Sequence, residues 1–287
     1  MKKRIVVLVS TIFFFSLNAS PMTFGIQEPF AEGVITTGEP EYSPTFTLDG
    51  KTVYFTHESR ERGFPAIYSS HFSDGKWSKP EVVPFSGKYV DEYPSLSPDG
   101  SKLYFASKRP TAGGSQKKFN DIWVVERASK GWGEPIRLEN PINTDLIDSH
   151  PSVTRDGTIY FHSNRDGNMD VYRSRLVNGK YAEPEKLPFN SGAIDGEPLV
   201  SPDESSVIFS SAREGGLGSG DLYITCLRGG TWTPARNLGP EINTPDWDGN
   251  PFISGDGKYL YVSLGNDKAW TDIKQIRLKK PLSCEAK

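Results

Sequence analysis

Cysteine, histidine and methionine are scarce in this chain of 287 residues, with 2, 4 and 3 copies respectively. Cys226 and Cys284 are too far apart for a metal or redox motif built on close spacing. They form either a disulfide, which an oxidising compartment would allow, or two lone thiols. The histidines show no zinc-binding spacing. We therefore expect no metal and no cofactor.

Signatures of catalysis are also missing. The sequence contains no Gly-x-Ser-x-Gly elbow and no phosphate-binding glycine motif. The segment that runs through Asp166, Asn168 and Asp170 begins like a calcium loop. Val171 and Val177, however, stand where such a loop needs a glycine and a glutamate. We interpret the segment as a turn before a strand.

Excess positive charge and long apolar runs are absent as well. The net charge is −3 and the pI is about 5.9, so nucleic acid is not expected as a partner. The apolar run Ile5–Leu17 follows the basic start Met1–Arg4 and is too short to span a membrane. It predicts a signal peptide over 1–19 and a periplasmic or secreted protein. A retained membrane anchor is the alternative.

The sequence does contain one motif that recurs five times. Asp91–Ser107 predicts a strand, a Pro-Asp-Gly turn and a second strand, because small and apolar residues alternate around the turn. Related segments begin at five prolines spaced 50, 57, 47 and 53 residues apart, namely Pro44, Pro94, Pro151, Pro198 and Pro251. A repeat of this length made only of strands indicates a β-propeller or a similar radial array.

Each repeat continues with two further predicted strands. The third strands are Ala66–Tyr68, Asp121–Trp123, Asp170–Tyr172, Asp221–Tyr223 and Asp272–Lys274. The fourth strands end in proline, which favours the outer edge of a blade, and are Trp77–Pro80, Trp132–Pro135, Tyr181–Pro184 and Trp232–Pro234.

The fifth repeat lacks its fourth strand, and the segment around Pro29 at the other end of the chain can supply it. The predicted fold is therefore all-β: a single propeller of five four-stranded blades, closed by an N-terminal strand. Six blades is the alternative. We expect the ring-closing segment over 20–36, the propeller over 37–279 and a C-terminal tail over 280–287.

The repeats resemble those of TolB-type, WD-like propellers. The resemblance is carried by Tyr93–Ser107 and by the Ile-Asn-Thr segments at 142–144 and 242–244, and it covers residues 24–278. Such repeats occur in periplasmic and outer-membrane-associated proteins, some of which carry an OmpA-like domain. The resemblance implies a module that binds a protein or peptide in the cell envelope, and the scarcity of catalytic motifs favours a non-catalytic role.

The predicted strand order places the long loops on one face of the propeller and the Pro-Asp-Gly turns on the other. Loops on a rigid scaffold commonly carry binding groups, so we expect the partner on the long-loop face. The candidate funnel residues near the channel mouth are Arg60, Glu92, Phe119, His150, Glu197 and Asn250.

Other charged residues recur in several repeats and favour a structural latch over a ligand clamp, since structure requires repetition and a single site does not. The predicted latch pairs are Arg109 with Asp121, Arg165 with Asp170, and Arg213 with Asp221.

The alternative function is a carbohydrate-active hydrolase or lyase. Glu92 and Glu197 would be its carboxyl pair, which should lie about 5 to 10 Å apart in a deep funnel. A glycan would then be the ligand. A binding module should instead show anchoring aromatic and arginine side chains.

Overall fold

A computed structural model describes residues 26–111, 114, 116–266, 270–282 and 284. Within these residues the regular secondary structure is β-strand, and there is no helix, hence none that could span a membrane. The predicted signal peptide, 1–19, lies outside the described residues.

The strands form five antiparallel blades arranged in a ring, as predicted. In chain order, after β1 (Glu28–Pro29), the strands of blade 1 are β2 (Glu41–Phe46), β3 (Thr52–Glu58), β4 (Pro65–Ser73), β5 (Lys76–Trp77) and β6 (Glu81–Val82); those of blade 2 are β7 (Asp91–Leu96), β8 (Lys102–Ser107), β9 (Asp121–Glu126) and β10 (Ile136–Arg137). Those of blade 3 are β11 (Asp148–Val153), β12 (Ile159–Ser163), β13 (Asp170–Ser174), β14 (Leu176–Val177), β15 (Lys180–Tyr181) and β16 (Glu185–Lys186); those of blade 4 are β17 (Asp195–Val200), β18 (Ser206–Ser211), β19 (Asp221–Arg228), β20 (Thr231–Trp232) and β21 (Arg236–Asn237); those of blade 5 are β22 (Trp247–Ile253), β23 (Tyr259–Gly265) and β24 (Trp270–Arg277).

The N-terminal strand closes the ring, as the sequence predicts. Strand β1 pairs antiparallel with β24, and the Phe30 amide donates to the Ile273 carbonyl at 2.9 Å. In blade 1 the equivalent bond runs from the Val83 amide to the Ile67 carbonyl at 3.0 Å. Phe30 therefore takes the place of Val83. Pro29 therefore lies two residues beyond the position equivalent to Pro80 of blade 1.

The fourth strands also lie later in the chain than predicted. In blade 1, Trp77 belongs to a hairpin with Phe72, and the outer strand β6 begins only after Pro80. The physical reason is that proline has no amide hydrogen to give to the ladder. The outer strand of each of blades 1–4 is consequently a two-residue piece that follows the proline.

The hydrophobic core lies between neighbouring blades. The cluster between blades 1 and 2, for example, packs Tyr54 and Ile67 against Leu103, Phe105 and Trp123. Equivalent clusters fill the other blade interfaces, including the one between blades 5 and 1. Because every blade is covered by its neighbours, closing the ring buries two blade faces at once.

Cys226 and Cys284 form a disulfide, which decides between the two alternatives left by the sequence. Their Cα atoms are 5.7 Å apart. Cys226 lies on β19, so the bond ties the C-terminal tail to blade 4.

We predict that Phe30→Ala lowers the free energy of unfolding by about 3–5 kcal/mol, the usual cost of deleting a buried aromatic ring. Phe30 is buried, and its ring centroid lies 5.4 Å from Phe46, 5.4 Å from Trp77 and 5.1 Å from Tyr261. Denaturant unfolding measures the loss. The matched control is Ile26→Ala, a site 80% exposed, which should change stability by no more than about 0.5 kcal/mol. Equal effects of the two changes would show that closure adds no stability.

Candidate functional site

The inner strand of every blade contains a β-bulge at the same place. The pairing register slips there, and the bulged residue, which precedes the repeated proline, has a left-handed backbone. The bulged residues are Ser43 (φ 54°), Tyr93 (φ 56°), His150 (φ 51°), Glu197 (φ 55°) and Asn250 (φ 47°). A proline cannot continue the hydrogen-bond ladder, and a bulge accommodates it. The five bulges meet at the axis of the ring.

A cavity of about 370 Å³ lies on the axis, and the five bulged residues are its floor. Its walls carry the repeated prolines and apolar side chains such as Phe46, Val153 and Phe252. Its rim is formed by the turns that join the first and second strands, with contributions from Leu48, Pro98, Pro202 and Gly255. The cavity therefore opens on the turn face. This face is opposite the long-loop face, on which the sequence predicts the partner.

The candidate funnel residues divide into two groups. His150, Glu197 and Asn250 line the cavity, whereas Arg60, Glu92 and Phe119 do not. The Arg60 side chain is 81% exposed and lies 3.9 Å from Glu39, and Phe119 contacts the Lys118 ammonium at 4.8 Å. This cavity therefore does not bring all six candidate residues together, because the long loops lie at the other end of the channel.

The sequence prediction groups Glu92 with His150 and Glu197, but Glu92 lies one residue before the equivalent position. It precedes the bulge, and the residue equivalent to His150 and Glu197 is Tyr93, which sequence reasoning missed. Counting back one residue from each repeated proline would have found it. Glu92 instead accepts hydrogen bonds from Tyr42 Oη at 2.8 Å and Asn120 Nδ2 at 3.3 Å. Burial raises its pKa, while these two bonds oppose the shift.

Two buried histidines lie beside Tyr93. The rings of Tyr93 and His150 stack with centroids 3.5 Å apart, and His150 Nδ1 lies 3.0 Å from His162 Nε2. Burial lowers the pKa of His162 to about 3 and lowers that of His150 well below its ordinary value; the neighbouring His162 adds to the shift of His150. Both rings are therefore neutral at physiological pH.

Glu197 is the one acidic side chain among the described residues that line the cavity, and none of them is Lys or Arg. Its Oε2 accepts hydrogen bonds from the Asn250 amide at 2.9 Å and from Ser210 Oγ at 3.0 Å. The carboxylate packs directly over Gly249, where a Cβ would collide with it. Burial raises the pKa of Glu197 to about 7, although both hydrogen bonds act in the opposite direction.

The arginine latch exists, but its acidic partners were predicted wrongly. Each arginine pairs with the acid at the start of the first strand of its blade and not with that of the third strand. The pairs are Arg109 with Asp91 at 2.7 Å, Arg165 with Asp148 at 2.9 Å, and Arg213 with Asp195 at 2.7 Å. The reason is that the third-strand aspartates have other partners, while each guanidinium also donates to a carbonyl of the segment that leads into the first strand. These carbonyls belong to Phe85, Ile142 and Phe189.

The third-strand aspartates have other partners. Asp121 pairs with Lys117 at 2.7 Å and Arg137 at 2.6 Å, and Asp170 pairs with Lys186 at 2.5 Å. Asp221 accepts hydrogen bonds from the backbone amide of Leu217 at 2.6 Å and from Asn237 Nδ2 at 3.1 Å. These contacts tie the third strand to its own loop and outer strand.

Among the described residues, no group of three or more His, Cys, Asp or Glu side chains is placed to hold a metal ion. The segment that begins like a calcium loop forms a turn, in which Asp166 accepts a hydrogen bond from Tyr172 Oη at 2.7 Å. The site therefore consists of an apolar cavity with a polar floor.

Comparison with known proteins confirms the resemblance to TolB-type propellers. The Tol-Pal system protein TolB of Francisella tularensis subsp. tularensis (strain WY96-3418) is 24% identical over 244 residues, which are 84% of this chain and 49% of that protein. The chain thus spans about half the length of this curated relative. No family model matches the chain.

Solved structures show the same fold. TolB from Acinetobacter baumannii superposes with a TM-score of 0.53 at 21% identity, covering 85% of this chain and 55% of that one. An α-L-arabinofuranosidase from Lactobacillus brevis gives a TM-score of 0.54 at 14% identity, covering 88% and 97%. Since a TolB and an arabinofuranosidase share this architecture, these likenesses establish the propeller and leave function to the site.

We predict that Arg165→Ala costs about 3–5 kcal/mol of unfolding free energy, because it leaves the buried Asp148 carboxylate without its charged partner. The substitution also removes guanidinium contacts at 5.1 Å with the rings of Phe161 and Tyr172. The matched control, Arg60→Ala, removes an exposed arginine and should cost no more than about 1 kcal/mol. Chemical denaturation compares the two. Similar losses would contradict a latch specific to the first-strand acid.

We predict that Glu197→Gln gains stability relative to the parent chain as the pH rises from 5 to 8. The carboxyl has a pKa of about 7 in the folded chain against an ordinary value of 4.5. The folded state therefore holds a proton that the unfolded state has lost, and the parent chain loses stability as the pH rises through this range. Glutamine does not titrate.

The measurement is the difference in Tm between variant and parent at the two pH values. Glu126→Gln, an exposed carboxyl paired with Lys102, controls for the loss of one negative charge. If the Tm difference between Glu197→Gln and the parent chain is the same at both pH values, the predicted titration of Glu197 is contradicted.

Proposed function

We propose that this chain is an exported, non-catalytic binding module of the cell envelope, and that it captures a segment of a partner protein in the axial cavity on the turn face. The observation that carries the proposal is the cavity itself. It is apolar, it is framed by prolines, and its polar groups converge at the floor. Cavities of 300 to 1,000 Å³ with this composition are the usual form of a specific binding site.

The size of the cavity indicates what part of a partner enters it. A volume of about 370 Å³ accommodates a few side chains and not a folded domain. Binding energy in protein interfaces comes mainly from a few side chains buried in a desolvated pocket, and neighbouring contacts exclude water around them. The rim, with the exposed Leu48 and the half-buried Leu199 and Ile253, supplies such a surrounding surface.

Location in the envelope has three supports. The basic and apolar start of the sequence has the pattern of an export signal. The disulfide between Cys226 and Cys284 is typical of proteins that fold in an oxidising compartment. The curated relative carries the name of the Tol-Pal system, whose TolB-type propeller this chain resembles. A protein partner in the same compartment follows from that likeness.

The geometry does not favour the hydrolase or lyase alternative. It required Glu92 and Glu197 to face one ligand as unpaired carboxyls. Glu92 does not line the cavity, and Tyr42 and Asn120 occupy its oxygens. The carboxyl pair was the main reason to consider a glycan as the ligand, and the two carboxyls do not face one ligand in this cavity.

The test places a photo-reactive amino acid on each face in living cells. At Leu48, on the rim, we expect a cross-link to a protein partner that mass spectrometry identifies. At Arg60, on the long-loop face, we expect none. Adding Ser95→Trp, which fills the cavity from β7, should remove the Leu48 cross-link, because the partner segment can no longer enter. An unchanged Tm confirms that this variant folds. A cross-link from Arg60 alone, or one at Leu48 that survives Ser95→Trp, would contradict the proposed site.

A further inference from the structure

The floor of the cavity holds polar atoms that the fold does not use. Asn250 is 5% exposed and its side chain lies beside that of His150, but no hydrogen bond of normal geometry reaches its Oδ1 or Nδ2. His150 is 9% exposed, and its Nε2 also has none. A buried polar group left without a partner costs roughly 1–3 kcal/mol. Two such residues side by side at the floor of a cavity indicate a ligand that completes their hydrogen bonds.

The charge of the floor indicates the kind of ligand. Glu197 contributes the single carboxyl, and no Lys or Arg is found among the described lining residues. The neighbouring histidines are neutral, so they do not offset its charge. The other titratable groups near Glu197 are Tyr93, Glu92 and Asp248, none of them a cation at neutral pH. The nearby cations are paired with other acids, Arg213 with Asp195 and Lys274 with Asp272. The electrostatic potential at the floor therefore favours a positive charge.

Resting on the function proposed above, we propose that the cavity binds a protonated amine whose apolar body lies among the prolines. The ammonium sits on the Glu197 carboxylate and on Asn250 Oδ1, and the ring of Tyr93 lies beside it. A primary ammonium has three N–H donors, which match these acceptors. One carboxylate is too few for a calcium ion, which takes 6–8 oxygen ligands. The amine is either a free peptide N-terminus or a lysine side chain.

This arrangement makes binding depend on pH. An ammonium gains most from an ionised Glu197, and the free carboxyl is protonated over much of its population near neutral pH. For a lysine side chain, affinity should therefore increase between pH 6 and pH 8 by about tenfold for a carboxyl that titrates near pH 7, and then stay constant until the ammonium loses its proton. For a free N-terminus, whose ammonium titrates at about pH 8, affinity should instead pass through a maximum near about pH 7.5 and fall above it.

The test uses three synthetic peptides and isothermal titration calorimetry. The first is Leu-Pro-Ser-Pro-amide with a free N-terminus, the second is the same peptide with an acetylated N-terminus, and the third is acetyl-Lys-Pro-Ser-Pro-amide. We expect the first or the third to bind at least tenfold more tightly than the second. Which of the two does so identifies the source of the amine.

Glu197→Gln should abolish this preference and the dependence on pH, while keeping an acceptor for Ser210 and Asn250. The control is Glu126→Gln, because Glu126 is the last residue of β9 and does not line the cavity. This variant should keep both the preference for the amine and the dependence on pH. Tm measurements confirm folding, and the pH series on the parent chain tests the proposal without any variant.

Three results would overturn the proposal. They are equal affinity for all three peptides, a preference that survives in Glu197→Gln, and no binding of either amine-bearing peptide at about 1 mM. Equal affinities that Ser95→Trp removes would still support capture of a protein segment in the cavity. That outcome separates failure of the amine proposal from failure of the proposed function.

Discussion

The missing amide hydrogen of one proline per blade shapes the centre of this propeller. In each inner strand the ladder stops where proline stands, the strand bulges, and the residue before the proline adopts a left-handed backbone. A non-glycine residue in that conformation costs about 1–3 kcal/mol, so the surrounding sheet must hold it in place. The repetition of this feature in five blades produces a floor across the channel.

The bulges are held by hydrogen bonds from neighbouring strands. The Tyr93 amide donates to Thr56 Oγ1 of the preceding blade at 2.9 Å, and the Ser43 amide donates to Ser263 Oγ at 2.9 Å. In blade 5 the acceptor for the Asn250 amide is the Glu197 carboxylate. Glu197 thus takes over a structural bond that a hydroxyl makes elsewhere, which explains how a carboxyl is accommodated at so dry a position.

The other buried charges serve the blades and not the channel. Each arginine of the latch also donates to the serine two residues before it, as Arg165 does to Ser163 Oγ at 3.1 Å. The Ile-Asn-Thr segments act beside this latch. Asn143 bonds both the amide and the carbonyl of Ile122, at 2.6 and 2.9 Å, so its side chain acts as one more strand residue. These motifs recur because several blades use the same internal connections.

The sequence by itself determined the fold: five repeats, four strands in each blade, and closure by the N-terminal strand. Local patterns carry that information, since turn residues and alternating apolar residues act within a few positions of one another. Only the tertiary structure decided which acid each latch arginine meets, which residue of each repeat faces the axis, and which end of the channel is open. The other contacts of the third-strand aspartates determine which acid each arginine meets. A one-residue bulge determines which residue faces the axis, and the packing of five blades determines which end of the channel is open. All three depend on contacts between residues distant in the chain, which periodicity within one repeat does not specify.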